Sequence, residues 1–224
     1  MPLLSIVVPV YNEAKTVKEI LEKISSLPLD KEIVVVDDGS FDGTQHILNE
    51  IKDERIKIIH HGTNRGKGSA FLTGLNYASG DYVIIQDADL EYDPNDYFKL
   101  LEAIKAQGVD FVLGVRFTKG YQGIFFHRLG NQFLTALVNF LFVSHLNDYA
   151  TCYKLASRQT WIKLGLKAKR FDIEAEIICN ILKRKLMIKE VPVSYHPRNY
   201  RSGKKIRWND GLWAIFYMFK YRFS

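Results

Sequence analysis

The sequence predicts an α/β protein: a single, mostly parallel sheet flanked by helices. Three observations predict it. Short β-branched runs alternate with segments of helical spacing through the first half of the chain. One of these runs, Glu32–Val36, reads as a strand covered on both faces, as strands of parallel sheets are. The segments between the runs are long enough for right-handed crossover helices.

In chain order, Leu3–Val10 is a strand, and Ala14–Ser26 places Val17, Ile20, Leu21 and Ile24 on one helical face. Glu32–Val36 is the second strand, Gly43–Ile51 a helix and Ile56–His60 the third strand. Lys67–Ala78 is helical, Tyr82–Gln86 the fourth strand, Asn95–Gln107 helical and Phe111–Val115 the fifth strand. Beyond residue 120 helices dominate. Ile124–Val143 reads as an amphipathic helix, Thr151–Leu155 as a strand, Asp172–Lys183 as a helix and Met187–Val193 as a strand. Residues 196–207 form a basic loop, and Asp210–Phe223 an aromatic helix. No repeat or linker divides the 224 residues, so the expectation is one domain over 1–224.

Composition narrows the function classes. Hydrophobic residues make up 47% of the chain and charged residues 25%, which excludes a disordered protein. Two cysteines, Cys152 and Cys179, are too few for a disulfide framework and suit a reduced cytosolic setting. The N-terminus reads as a strand and lacks the basic region of a signal peptide. Ile124–Val143 is interrupted by His127, Arg128, Asn131, Gln132 and Asn139, which argues against a spanning helix. The net charge of +6 is uneven: residues 150–224 hold 17 Lys/Arg against 5 Asp/Glu. That basic third suits an anionic partner such as a phosphate, a nucleotide or a membrane surface, or is an ordinary solvated face. A nucleic-acid partner is not expected, since no recognition motif accompanies the charge.

In open parallel sheets, ligands gather beyond the carboxyl ends of the strands. Polar groups stand at four such ends here, the first strand ending in Pro9-Val10-Tyr11-Asn12-Glu13. Asp87, Asp89 and Glu91 follow the fourth strand. Alternation along an extended segment would turn all three carboxylates to one side, where they suit a hard divalent cation, Mg²⁺ or Mn²⁺. Asp37-Asp38-Gly39-Ser40 follows the second strand, as a turn or as acceptors for a base or ribose. Gly66-Lys67-Gly68 opens a helix, where glycines and a helix N-terminus favour an anion, although no P-loop pattern is present.

Together these motifs resemble family 2 glycosyltransferases, within the dolichol-phosphate mannose synthase-like, polyprenyl-phosphate group. The matching stretches are V-V-P-V-Y-N-E (7–13), V-V-D-D-G-S-x-D-G-T (35–44), N-R-G-K-G (64–68), G-D-Y-V-I-I-Q-D-A-D-L (80–90), G-V-R (114–116) and E-V-P-V-x-Y-x-P-R (190–198), with Lys204-Lys205 beyond. The resemblance implies a GT-A fold with a Rossmann-like sheet and C-terminal interfacial helices. Its nucleotide-sugar-binding half would be 1–115 and its acceptor-binding half 116–224.

The resemblance also implies site roles. Pro9, Tyr11, Glu13, Asp38, Lys67, Asp87, Ala88, Arg116, Arg198 and Lys204 would bind the nucleotide-sugar donor. Asp87, Asp89 and Glu91 would hold the metal, Glu91 standing where the mannose synthases carry Gln. Arg116 and Arg128 would face a lipid-phosphate acceptor. Asp89, Arg116 and Glu174 would serve catalysis, with Asp148 and Glu174 as candidate bases should the acceptor be a sugar hydroxyl. The implied activity is inverting, metal-dependent hexose transfer from a GDP- or UDP-sugar to a polyprenyl phosphate. Transfer to a saccharide hydroxyl and a non-catalytic binding role are the alternatives. The aromatic helix, with Trp208, Trp213, Phe216, Tyr217, Phe219, Tyr221 and Phe223 beside Lys220 and Arg222, would lie at a membrane interface. The implied location is the cytosolic face of a membrane, held peripherally or through an anchoring protein partner.

Overall fold

A computed structural model describes residues 3–116, 125–198 and 208–223. The first half alternates as the periodicity predicts: β1 (Leu4–Val10), α1 (Val17–Ser26), β2 (Lys31–Asp37), α2 (Thr44–Asn49), β3 (Ile56–His60), α3 (Lys67–Tyr77) and β4 (Tyr82–Ile85). A 3-10 turn, Pro94–Asp96, leads into α4 (Tyr97–Ile104) and β5 (Phe111–Val115). There follow α5 (Phe125–Phe142), β6 (Lys154–Ser157), α6 (Arg158–Leu164), α7 (Ile173–Lys183), β7 (Ile188–Pro192) and α8 (Trp208–Phe223).

The seven strands form one sheet in the order β3-β2-β1-β4-β6-β5-β7. All neighbours are parallel except around β6, which runs antiparallel to both β4 and β5. The core is continuous across the sheet: Ile6, Val7 and Val8 of β1 and Ile33–Val36 of β2 are fully buried, which is why those strands read as unbroken apolar runs.

Two features differ from the sequence reading. β5 does not extend the parallel run from β4, because β6 lies between them with Tyr82 opposite Ser157 and Phe111 opposite Ala156. The strand also starts later than expected, at Lys154 rather than Thr151. The short helix α6 was not expected at all. Ser157 caps it by accepting from the Thr160 N–H at 3.0 Å. Trp161 anchors it, fully buried between Phe71 and Phe111 at 4.9 Å from each ring, with its indole N–H donating to the Val83 carbonyl.

Candidate active site

The turns after β1 and β2 are latched together. Asn12, in the left-handed region at φ 51°, donates its N–H to Ser40 Oγ at 2.8 Å, and its Oδ1 accepts from the Phe41 N–H at 2.9 Å. The N–H groups of Glu13 and Ala14 donate to Thr44 Oγ1 and Asp42 Oδ2. Gly39 makes the second turn possible. Its φ is +74°, and a Cβ there would sit 2.7 Å from the Thr63 carbonyl carbon. Gly39→Ala is therefore expected to cost about 1–3 kcal/mol of unfolding free energy, read from a urea titration.

Asp38 is buried, and three donors surround its carboxylate. The Arg65 and Gly66 N–H groups donate to it at 2.9 and 2.7 Å, and His61 Nδ1 lies 2.7 Å from Oδ1. A carboxylate has about four acceptor positions, so Asp38 chiefly shapes the loop before α3. The glycines of that loop let protein backbone approach it closely. A Cβ on Gly66 would meet the Lys169 carbonyl oxygen at 2.5 Å, and one on Gly68 the Ala168 carbonyl oxygen at 2.4 Å. They admit the segment before α7, whose Lys169 carbonyl accepts from the Ser69 N–H at 2.9 Å.

Lys67 turns inward from this loop. Its Nζ lies 2.8 Å from Asp87 Oδ1 and 3.0 Å from Glu174 Oε1. Glu174 Oε2 in turn pairs with Lys154, whose Nζ also donates to the Thr151 carbonyl. Burial alone would raise the Glu174 carboxyl, but the Lys154 and Lys67 ammonium groups hold it down to about 2. This corrects the expectation of Glu174 as a general base, because a carboxylate so firmly ionised accepts a proton poorly.

The acidic rim also departs from simple alternation. Leu90 takes φ 63° and breaks the extended path, and the Glu91 carboxylate turns to partners of its own while its charge still reaches Asp89. Its Oε2 accepts from the Tyr195 hydroxyl at 2.6 Å, its Oε1 from the Arg198 N–H at 2.8 Å, and its carbonyl from the His196 N–H at 2.7 Å. Glu91 thus ties the segment 195–198 over the rim. There Arg198 forks onto Glu13 at 3.0 and 3.2 Å and reaches Asp89 at 3.3 Å.

The expected grouping of Asp87, Asp89 and Glu91 is not formed. Among the described residues no set of three His, Cys, Asp or Glu side chains is arranged to hold a metal ion. The chemistry of the rim nevertheless suits a hard cation. Burial, then the Asp87 and Glu91 carboxylates, push Asp89 up to about 7. Five carboxylates (Glu13, Asp87, Asp89, Glu91, Glu174) stand against three cations (Lys67, Lys154, Arg198), which leaves a balance of −2 among the described residues.

Arg116 lies beyond β5. Its Nε and one terminal nitrogen each donate to the Asp148 carboxylate at 2.7 Å, and the guanidinium stacks over Tyr195 at 5.2 Å. Asp148 is fully buried and also accepts from the Arg116 N–H and from Asn131 Nδ2. With both oxygens engaged by Arg116 and Asn131 it acts as a structural counter-ion, where the sequence suggested a candidate base.

The other expected site residues are placed as follows. Pro9 and Tyr11 lie at the end of β1 and just beyond it, Tyr11 edge-on to the exposed Phe41 at 6.2 Å. Ala88 is buried beneath the rim, and Arg128 lies partly exposed in the first turns of α5. Lys204 and Lys205 fall outside the described residues. Sequence reasoning missed Lys154, and its one signal was a lysine inside the apolar stretch Cys152–Ala156.

α5 and α8 pack on each other, with Arg222 Nε donating to the Leu141 carbonyl at 2.9 Å. Both leave apolar side chains exposed: Leu129, Phe133 and Phe140 on α5, and Leu212, Trp213, Phe216, Phe219 and Phe223 on α8. Met218 of α8 is fully buried, so one side of that helix belongs to the core. No helix of the described residues is long and apolar enough to cross a membrane.

Residues 5–165 match the model of glycosyl transferase family 2. The chain is 32% identical over 207 residues to an undecaprenyl-phosphate 4-deoxy-4-formamido-L-arabinose transferase of Edwardsiella ictaluri, covering 89% of this chain and 62% of the relative. It is 29% identical over 204 residues to the low-salt glycan biosynthesis hexosyltransferase Agl6 of Haloferax volcanii, covering 88% and 48%. The chain therefore spans about half to three-fifths of the length of these curated relatives.

Among solved structures, mannosyl-3-phosphoglycerate synthase from Rubrobacter xylanophilus superposes with a TM-score of 0.75 at 22% identity, over 99% of this chain and 74% of that one. Glucosyl-3-phosphoglycerate synthase from Mycobacterium tuberculosis, in complex with Mn²⁺, UDP and glucosyl-3-phosphoglycerate, gives 0.74 at 19% identity, over 98% and 80%. The fold is GT-A.

Proposed function

Because the chain belongs to glycosyl transferase family 2, we propose that it transfers a hexose, with inversion, from a nucleotide-sugar donor to a polyprenyl phosphate. The state of the two candidate bases carries the choice of acceptor. Glu174 is held ionised between Lys67 and Lys154, and Asp148 is consumed by Arg116 and Asn131. A hydroxyl acceptor needs a base within hydrogen-bond reach, whereas a phosphate arrives already ionised. The relative from Edwardsiella ictaluri, named for undecaprenyl phosphate, supports the same choice.

In this reading residues 1–224 act as one domain, with 1–115 binding the donor and 116–224 the acceptor. Pro9, Tyr11, Glu13 and Asp38 form the nucleoside end of the donor pocket, and Lys67 with Arg198 and Lys204 meets its phosphates. Asp87 and Asp89 hold Mg²⁺ or Mn²⁺, while Glu91 supports the site by fixing Arg198. When bound, the cation supplies neutralisation of the departing nucleoside diphosphate. Lys67, held by Asp87 and Glu174, and Arg116, held by Asp148, add preset positive charge that needs no reorganisation as the leaving group departs. Arg116 and Arg128 orient the acceptor phosphate. The exposed apolar side chains of α5 and α8, with Lys220 and Arg222, rest on the cytosolic face of a membrane, alone or beside an anchoring partner.

Labelled UDP- and GDP-sugars, Mn²⁺ and polyprenyl phosphate in detergent test the reading. Label in the organic extract with one donor is expected. Label that moves only to a soluble saccharide overturns the acceptor, and no transfer with any donor overturns the function.

A further inference from the structure

We infer that Lys154 and Glu174 are positioning residues: an ammonium–carboxylate pair, its lysine fully buried, that sets Lys67 against Asp87 so that Lys67 offers a charged N–H to the donor's phosphates. The inference rests on the donor reading above.

Lys154 begins β6, has no solvent exposure and is flanked by the buried Tyr153 and Leu155. Lysine is almost never fully buried unless paired. Here its Nζ has two partners, the Thr151 carbonyl and Glu174 Oε2. The other oxygen of Glu174 holds Lys67, and Lys67 holds Asp87. Four charges from β6, α7, the start of α3 and the end of β4 therefore alternate in sign along one line.

Each oxygen of Glu174 has its own cation. That division is what Lys154 contributes. Without it Glu174 would be a desolvated carboxylate with one counter-ion, and the Lys67 ammonium would be drawn onto it and away from Asp87. An ammonium has three N–H donors. Two of Lys67's are taken by Glu174 and Asp87, and its side chain keeps 15% exposure, which leaves the third N–H for a ligand. The frame around this line is rigid. Glu176 accepts from the Lys167 and Ala168 N–H groups, which fixes the segment before α7, and Gly66 and Gly68 press the loop before α3 onto the same segment. Glu174 lies in the first turn of α7, where the helix dipole also favours a carboxylate.

A double-mutant cycle on nucleotide affinity tests this. Calorimetry with UDP and with GDP, each with Mn²⁺, selects the nucleotide that the wild type binds. That nucleotide is then titrated into Lys154→Met, Glu174→Gln and the double variant. Each single variant is expected to weaken binding about tenfold to a hundredfold, the worth of one charge-assisted hydrogen bond. The double variant should bind no worse than the weaker single, because both act through Lys67, and Lys154→Arg should restore most of the affinity.

Losses that multiply in the double variant would show two independent roles and overturn the inference. So would unaltered affinity in Lys154→Met accompanied only by a lower melting temperature. Should Lys154→Met fail to fold, the charge-neutral double variant is compared with Glu174→Gln alone, and any further loss of affinity overturns the inference. A wild type that binds neither nucleotide removes the donor reading, and this inference with it.

Discussion

An Asp89→Asn variant is expected to lose sugar transfer by about a hundredfold to a thousandfold, the scale set by removing one preorganised charge from a transition state, while melting no lower than the wild type. The two outcomes share one cause. Asp89 is largely withdrawn from solvent near the Asp87 and Glu91 carboxylates, and Arg198 at 3.3 Å and the Glu91 N–H at 3.1 Å offset them. Burial first, and then these neighbours, raise its carboxyl to about 7, against an ordinary 3.8.

The sign for stability follows. Between about pH 4 and pH 7 the folded state holds a proton at Asp89 that the unfolded state has released, so this group's contribution to stability falls as pH rises through that window. Asparagine does not titrate. Without divalent cation, the variant's melting temperature should exceed the wild type's at pH 8, and the gap should close by pH 5. Mn²⁺ should raise the wild-type melting temperature by mass action and the variant's much less. Equal Mn²⁺ shifts in both would mean that Asp89 does not hold the cation, and full transfer activity in the variant would remove it from the site.

How far the sequence could be read depended on how local the cause was. The strands and helices from Leu4 to Ile85 follow from apolar runs and from turns such as Asp37-Asp38-Gly39-Ser40, where one residue, Gly39, must take a positive φ. The placement of β6 was not legible, because it depends on pairing between Tyr82 and Ser157, 75 positions apart. Glu91 was misread for a backbone reason: period-two alternation holds only while the chain stays extended, and Leu90 does not. Glu174 was misread for an electrostatic one. A carboxylate in a first helical turn looks the same in sequence whether it is a base or an ion-pair partner, and only the fold brings Lys67 and Lys154 to its two oxygens. The glycines at 66 and 68 signalled close approach correctly, but what approaches is the backbone of residues 168–170.

The second large effect concerns stability. Asp148→Ala should lower the unfolding free energy by about 3–5 kcal/mol, the cost of stranding one member of a buried ion pair. Asp148 has no solvent exposure and receives four hydrogen bonds: three from Arg116, through its backbone N–H, Nε and a terminal nitrogen, and one from Asn131. Alanine removes both acceptor oxygens, and with them all four hydrogen bonds, and leaves a guanidinium that is only 13% exposed with Asn131 Oδ1 and the Tyr195 ring beside it. Asp148→Asn retains an acceptor but not the charge and should fall between.

The pair variant Arg116→Met/Asp148→Leu separates stability from function. Replacing both partners of a buried pair by apolar groups of similar size commonly restores stability, so its urea midpoint should recover toward the wild type. If Arg116 supplies charge to the phosphates, transfer activity stays lost in that refolded background. If activity returns together with stability, Arg116 is there only for Asp148, and the positive charge at the acceptor side must come from Arg128 and the basic segment beyond residue 198.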